Sequence, residues 1–370
     1  MTTIATLPET SGVLICGHGS RAKIAEEEFS LLAKGLKERH PELKVEYGFL
    51  EYSAPNMHTA LDRLMAQGVT KIHAVPGMLF AATHAKNDIP SVLTTYQAKH
   101  PNLTIEYGKE LGLHEEMILA FQQRILNALG HDTIPAAGEL YDTMLVVVGR
   151  GTSVVDANAD AAKLTRIACE NLGFGWSETV YSGVTFPSVG RGLEMALKLG
   201  FKKIVVAPYF LFGGKLIDRI YNYVDKVANE NPDVVFLKAD YLRAQDHVIN
   251  TFELRINETI TEPVPNVTLM ADFQARLARG EVDVHHHHAE FKAEGEHSHE
   301  HSHEHSHSHD HSHDHDHSHS HSHGHHHAPY KHIAHPHGPR TMVNDNICGY
   351  FMSQLPEHVI AEEKAVGEKN

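Results

Sequence analysis

The chain is 370 residues long, with 32 Lys and Arg against 47 Asp and Glu and a formal net charge of −15, a balance that excludes nucleic acid and anionic membranes as partners because both recruit clustered cations. A hydrophobic content of 41% supports ordinary globular cores, and the length points to two domains with an appendage. Three scattered cysteines, Cys16, Cys169 and Cys348, exclude a disulfide framework; with no leader-like start and no long apolar run, a soluble cytoplasmic protein is expected.

The first apolar run, VLICG (13–17), reads as a buried strand, and Ala25, Phe29, Leu32 and Leu36 then fall at spacings of four, three and four, one face of a helix. KVEYGFLE (44–51) is a second strand, HTALDRLMAQG (58–68) a second helix closed by Gly68 at C′, and KIHAVPGML (71–79) a third strand. FAATHAKNDIP (80–90) reads as a turn, with a helix beginning near Asp88 and Pro90. TIEYGKEL (104–111) and EMILAFQQRILNALG (116–130) add a strand and a helix. Strands alternating with helices predict a parallel, doubly wound α/β sheet.

The scheme then repeats. Gly17 and Gly149 stand 132 positions apart, as do Pro55 and Pro187, Gly68 and Gly200, Lys71 and Lys203, and Pro76 and Pro208. The fold expected is therefore two tandem doubly wound α/β domains related by internal duplication, over 10–135 and 140–262. A disordered His-rich region follows over 281–337, then a segment, 338–370, with no assigned role.

In doubly wound sheets ligands sit beyond the carboxyl ends of the strands. His18 ends the first strand, Glu51 the second, and His84 lies just past the third, so three potential ligands converge on one edge. GHGSRA (17–22) formally matches a dinucleotide fingerprint, but the acid at the end of the second strand arrives 34 residues after Gly17, where that fingerprint expects it about 20 on. Gly17 and Gly19 serve instead to permit a tight strand-to-helix turn. In the second copy Arg150 replaces His18, Thr185 is read in place of Glu51, and KLIDRI (215–220) replaces the H-x-x-x-D-I segment, with one residue fewer ahead of it.

GHGSR, FLE and H-x-x-x-D-I-P, in that order, resemble the CbiX family of sirohydrochlorin chelatases, related to class II ferrochelatases. GRGTSVVDANAD (149–160) and APYFLFGGKLIDRI (207–220) are similar to the catalytically silent half of its long members. The resemblance implies a lyase-type chelatase inserting Co²⁺ into sirohydrochlorin on the cobalamin route, the metal being substrate and no tightly bound cofactor being required. It implies that His18 binds cobalt and accepts a proton, that His84 is the partner ligand, that Glu51 contacts substrate or metal, and that Leu79, Phe80, Ala81, Ala82 and Thr83 line the macrocycle pocket. Sirohydrochlorin is an octacarboxylate, so Arg150, Lys215 and Arg219 are candidates to grip its acid groups, or else are solvated surface charges. His and Glu ligands do not by themselves choose cobalt over iron or nickel. A metal store or chaperone with an inert α/β part is the reading from another class; it gives no reason to keep three convergent ligands in one half only.

Of 34 histidines, 24 fall between His285 and His337, alternating with Ser, Glu and Asp and including His285, His286, His287, His288, His325, His326 and His327. Such a tract has no apolar periodicity to offset ordering entropy and suits Co²⁺, Ni²⁺, Fe²⁺ or Zn²⁺. Three cysteines in the whole chain exclude a four-cysteine iron–sulfur cluster around Cys348.

Overall fold

A computed structural model of the chain describes residues 4–261, 269–282 and 284. The histidine tract from His285 onward, Cys348 and the segment 338–370 lie outside the described residues.

In the first half β1 (Ser11–Gly17), β2 (Val45–Phe49), β3 (Lys71–Pro76) and β4 (Thr104–Tyr107) form one parallel sheet in the order β2-β1-β3-β4. Every residue of β1 is buried, as the continuous apolar run requires of a strand covered on both faces. Successive side chains point to opposite faces. Val13 and Ile15 therefore join a central core, while Leu14 and Cys16 join an outer one with Leu61, Ile72 and Leu93.

The helices are α1 (Lys23–Arg39), α2 (Met57–Ala66), α3 (Ile89–Lys99) and α4 (Glu115–Leu129). Phe29, Leu32 and Leu36 form the buried face of α1. Asn56 caps α2 by accepting a bond from the Thr59 amide, and Gly68, at φ +78°, stops it at C′ as expected.

The second half repeats the plan. Strands β5 (Thr143–Gly149), β6 (Trp176–Tyr181), β7 (Lys203–Pro208) and β8 (Val235–Lys238) pair in parallel in the order β6-β5-β7-β8. Its helices are α5 (Val155–Leu172), α6 (Val189–Lys198), α7 (Lys215–Glu230) and α8 (Asp246–Thr261). The doubly wound, duplicated α/β fold read from the sequence is the fold observed.

The two halves trade their last helices. α4 packs on β7 and β8 of the second sheet, and α8 packs on β3 of the first, so the two helices meet across one central core. Phe121 of α4 and Phe252 of α8 are fully buried there beside Val13, Ile15, Leu145 and Val147. The exchange is fastened by buried polar bonds: Glu253 of α8 accepts from Arg39 at 3.2 Å and lies 3.0 Å from the His40 ring, and Arg255 donates to the Leu111 carbonyl at 2.8 Å. A ninth helix, α9 (Leu269–Ala278), lies beyond the duplication and packs on the first half. Among the described residues no helix is long and apolar enough to cross a membrane.

Candidate metal centre

β1 and β3 are neighbours whose following chains leave in opposite directions, one toward β2 and the other toward β4. That is the topological switch point of the sheet, where a crevice opens beyond the strand ends. His18 is the first residue after β1, and the chain after β3 returns to it at His84.

Close approach of two loops sets the floor of the crevice. Gly19 has φ +91°, and a Cβ there would stand 1.6 Å from the Glu51 carbonyl oxygen, so no other residue fits. The Glu51 amide donates to the His18 carbonyl at 3.1 Å, and Ser53 Oγ both accepts from the Ser20 amide at 3.0 Å and donates to the Ser20 carbonyl at 2.9 Å. Glu51 sits two residues past the end of β2, in this loop, and is buried.

His84 opens a single wide turn, residues 84–88, in which the Ile89 amide bonds to the His84 carbonyl, five residues back. This π-turn is how a helix absorbs one inserted residue. It accounts for the length difference between 80–89 and its counterpart 212–220. The sequence predicts a helix start near Asp88; regular α-helix does begin at Ile89, but helical backbone begins already at His84.

The geometry at the crevice fixes the proton positions. His18 Nδ1 lies 2.8 Å from the Gly19 carbonyl oxygen, and His84 Nδ1 lies 2.6 Å from Asp88 Oδ2. Both partners are acceptors, so each Nδ1 carries the hydrogen and each Nε2 presents a lone pair. The two Nε2 atoms lie 2.8 Å apart, with the rings nearly perpendicular and their centroids 4.1 Å apart. Two lone pairs at that separation repel unless a positive charge lies between them, either a shared proton or a metal ion. Glu51 Oε1 stands 3.5 Å from His18 Nε2, and the three ligand atoms all lie within 4.8 Å of one another. Two imidazoles and a carboxylate suit a borderline divalent ion such as Co²⁺, Fe²⁺, Ni²⁺ or Zn²⁺. With metal–nitrogen bonds of about 2.1 Å, chelation needs nitrogens roughly 3.0 Å apart at a right angle and roughly 3.4 Å apart at the tetrahedral angle, so the pair opens by about half an ångström at most.

Asp88 is the functional residue that the sequence reading did not single out, although it stands four positions after His84, the spacing that puts two side chains on one helical face. The other expected site residues are spread more widely. Leu79 and Phe80 pack against the central core, with the Phe80 ring 5.5 Å from that of Tyr209. Ala81, Ala82 and Thr83 are half-buried and lead into the π-turn. Arg150 and Lys215 are exposed at the corresponding edge of the second sheet, where they stand in for His18 and His84, and Arg219 is half-buried on α7. One pairing needs correction. Thr185 is not the counterpart of Glu51: a Cβ on Gly151, at φ +83°, would meet the Gly183 carbonyl at 1.8 Å just as one on Gly19 would meet that of Glu51, so the equivalent is Gly183. Thr185 matches Ser53, their amides bonding at 2.8 Å to the carbonyls of Gly183 and Glu51.

The second half also closes one side of the crevice. Glu28 of α1 accepts from the Gly213 amide and from the Tyr241 hydroxyl, each at 2.7 Å, and Phe212 packs 5.4 Å from Phe29. A Cβ on Gly214 would lie 3.4 Å from that of Ala22, four residues past His18.

The CbiX family model matches residues 12–128 and again 144–259. A sirohydrochlorin cobaltochelatase of Priestia megaterium is 36% identical over 230 residues, 62% of this chain and 73% of the relative. A sirohydrochlorin ferrochelatase of Bacillus subtilis (strain 168) is 30% identical over 248 residues, 67% of this chain and 91% of the relative. Among solved structures, SirB from Bacillus subtilis with Fe³⁺ superposes with a TM-score of 0.61 at 28% identity, over 70% of this chain and 99% of that one. The sirohydrochlorin chelatase SirB in complex with cobalt, from Bacillus subtilis subspecies spizizenii, gives 0.57 at 26% identity, over the same shares.

Proposed function

The chain belongs to the CbiX family, and we propose that it is a chelatase inserting Co²⁺ into sirohydrochlorin, with His18, His84 and Glu51 handling the metal. The observation that carries this reading is the pair of Nε2 atoms brought within 2.8 Å of one another, each ring held by a separate acceptor at its Nδ1.

Hydrated Co²⁺ exchanges waters for the two imidazoles and the Glu51 carboxylate, displacing the proton shared by the two Nε2 atoms. Insertion then requires two pyrrole N–H groups to lose protons as the metal leaves its protein ligands. His18 Nε2 takes one of them, which returns the pair to its proton-sharing form, and the other passes to bulk water, so that metal entry and insertion together release two protons. His18 is the more exposed of the two rings, its side chain 22% accessible against 11% for His84. It is therefore the member that the macrocycle reaches, while His84, anchored by Asp88, is the fixed ligand.

The second half supplies walls and charge rather than ligands. Arg150, Lys215 and Arg219 grip carboxylates of the substrate at the rim, and the Gly213–Gly214 loop seals the crevice against α1. The metal is substrate, so the reading needs no resident cofactor, and it is consistent with a cytoplasmic enzyme. Ferrochelation is the second reading, favoured by the likeness to the sirohydrochlorin ferrochelatase of Bacillus subtilis (strain 168). The test is the absorbance change of sirohydrochlorin with Co²⁺, Fe²⁺ or Ni²⁺ in turn: the fastest enzyme-dependent insertion is expected with Co²⁺, and a clear preference for Fe²⁺ would reassign the metal.

A further inference from the structure

We propose that Arg276, on the helix beyond the duplication, is a positioning residue for the metal centre: it holds the π-turn that aims His84. The need arises in the turn itself. Pro90 has no N–H, so it can pair neither with the Lys86 carbonyl four residues back nor with the Ala85 carbonyl five back. Ala85 is buried and Lys86 half-buried, and a carbonyl left in that state away from water is costly. Two side chains from outside the turn fill the gap: the Tyr107 hydroxyl, from β4, donates to the Ala85 carbonyl at 3.1 Å, and Arg276 Nη2 donates to the Lys86 carbonyl at 2.8 Å.

Arg276 does more than satisfy one oxygen. Its Nη1 donates to Asn87 Oδ1 at 2.8 Å, and its Nε is held by Asp272 Oδ2 at 2.9 Å, so the whole guanidinium fork is committed. Lys86 and Asn87 lie between His84 and Asp88, the two ends of the 2.6 Å bond that fixes the ligand tautomer. A rotation of this segment moves both ends of that bond together. The helix carrying Arg276 is itself docked: Phe273 is fully buried, and Gln274 donates to Thr94 Oγ1 of α3 at 2.9 Å. In the second half α7 begins at Lys215 without the extra residue, so the brace serves the half that keeps the ligands.

The inference rests on His84 being a metal ligand, and the experiment separates the two claims. Initial rates are measured on the full-length chain with free Co²⁺ set by a metal buffer, so that metal held by the histidine tract does not alter the supply. Arg276→Ala is expected to raise the KM for Co²⁺ on the order of 10-fold, the usual scale for losing a partner behind a ligand, while the KM for sirohydrochlorin stays within about 2-fold. Arg276→Lys, which can keep the single bond to the Lys86 carbonyl, should regain most of the loss. In a His84→Ala background, Arg276→Ala should add nothing. An unchanged KM for Co²⁺, an equal rise in both KM values, or a loss that persists in the His84→Ala background would overturn the proposal. A His84→Ala protein with wild-type kinetics would instead refute the ligand assignment, whereas an impaired His84→Ala beside a normal Arg276→Ala refutes the brace alone.

Discussion

Replacing Asp88 with asparagine tests how the ligand pair is held. The carboxylate accepts the His84 Nδ1 hydrogen at 2.6 Å in a buried setting, a charge-assisted bond of about 1.5–3 kcal/mol. In Asp88→Asn the amide keeps the shape of the carboxylate but can present either its oxygen or its NH₂ group. With the oxygen toward the ring the tautomer survives and only the charge is lost; with the nitrogen toward it, the hydrogen moves to Nε2 and points into the metal site. Converted to rates, that bond energy corresponds to a loss of roughly 10- to 150-fold, in line with the range of about 10–100-fold seen when ligand-supporting groups are removed. The assay is sirohydrochlorin absorbance against buffered free Co²⁺, read as kcat/KM for the metal. A variant within about 2-fold of wild type would refute the argument that Asp88 sets the His84 tautomer.

Three further outcomes are expected. Arg150→Ala should raise the KM for sirohydrochlorin more than it lowers turnover at saturating substrate, since Arg150 stands where the second half has lost its ligand; a loss confined to turnover would make it catalytic. His73, on β3, is buried with its Nδ1 on Thr259 Oγ1 at 2.9 Å, and burial, aided by the Lys71 charge, pushes its pKa down to about 4. The folded state therefore refuses a proton that the unfolded chain takes near pH 6.5, so stability falls as pH drops from about 6.5 toward 4, by about 3 kcal/mol in all; urea unfolding at several pH values should show this, and His73→Asn should flatten it. Ending the chain after Val284 removes the histidine tract but keeps α9, and should leave the rate at saturating Co²⁺ unchanged while lowering it when metal is scarce; equal losses under both conditions would give the tract a structural role.

The strands, the duplication and the convergence of His18, Glu51 and His84 were legible in the residues themselves: apolar runs mark buried parallel strands, glycines at Gly19 and Gly68 mark turns, and a constant offset of 132 marks the repeat. The exchange of α4 and α8 was not legible, since an amphipathic helix declares that one face is buried and not which sheet buries it. The π-turn left only a trace, one extra residue between Phe80 and Ile89. Asp88 had a signal in its spacing from His84, whereas Arg276 lies 188 positions after Asp88 and carried none. Thr185 was mispaired by two positions: the constant offset of 132 already sets Gly183 against Glu51, and the loops of the two copies, which superpose through Gly19 and Gly151, place it there.

The most direct test of the metal centre compares wild type, His18→Ala and His84→Ala, and the double variant, in Co²⁺ insertion at saturating metal and sirohydrochlorin. If the two rings act as one ligand pair around one ion, each single variant loses most of the rate above the spontaneous reaction and the double variant loses little more. A single variant that keeps near-normal turnover, or losses that multiply in the double, would contradict a shared metal between His18 and His84.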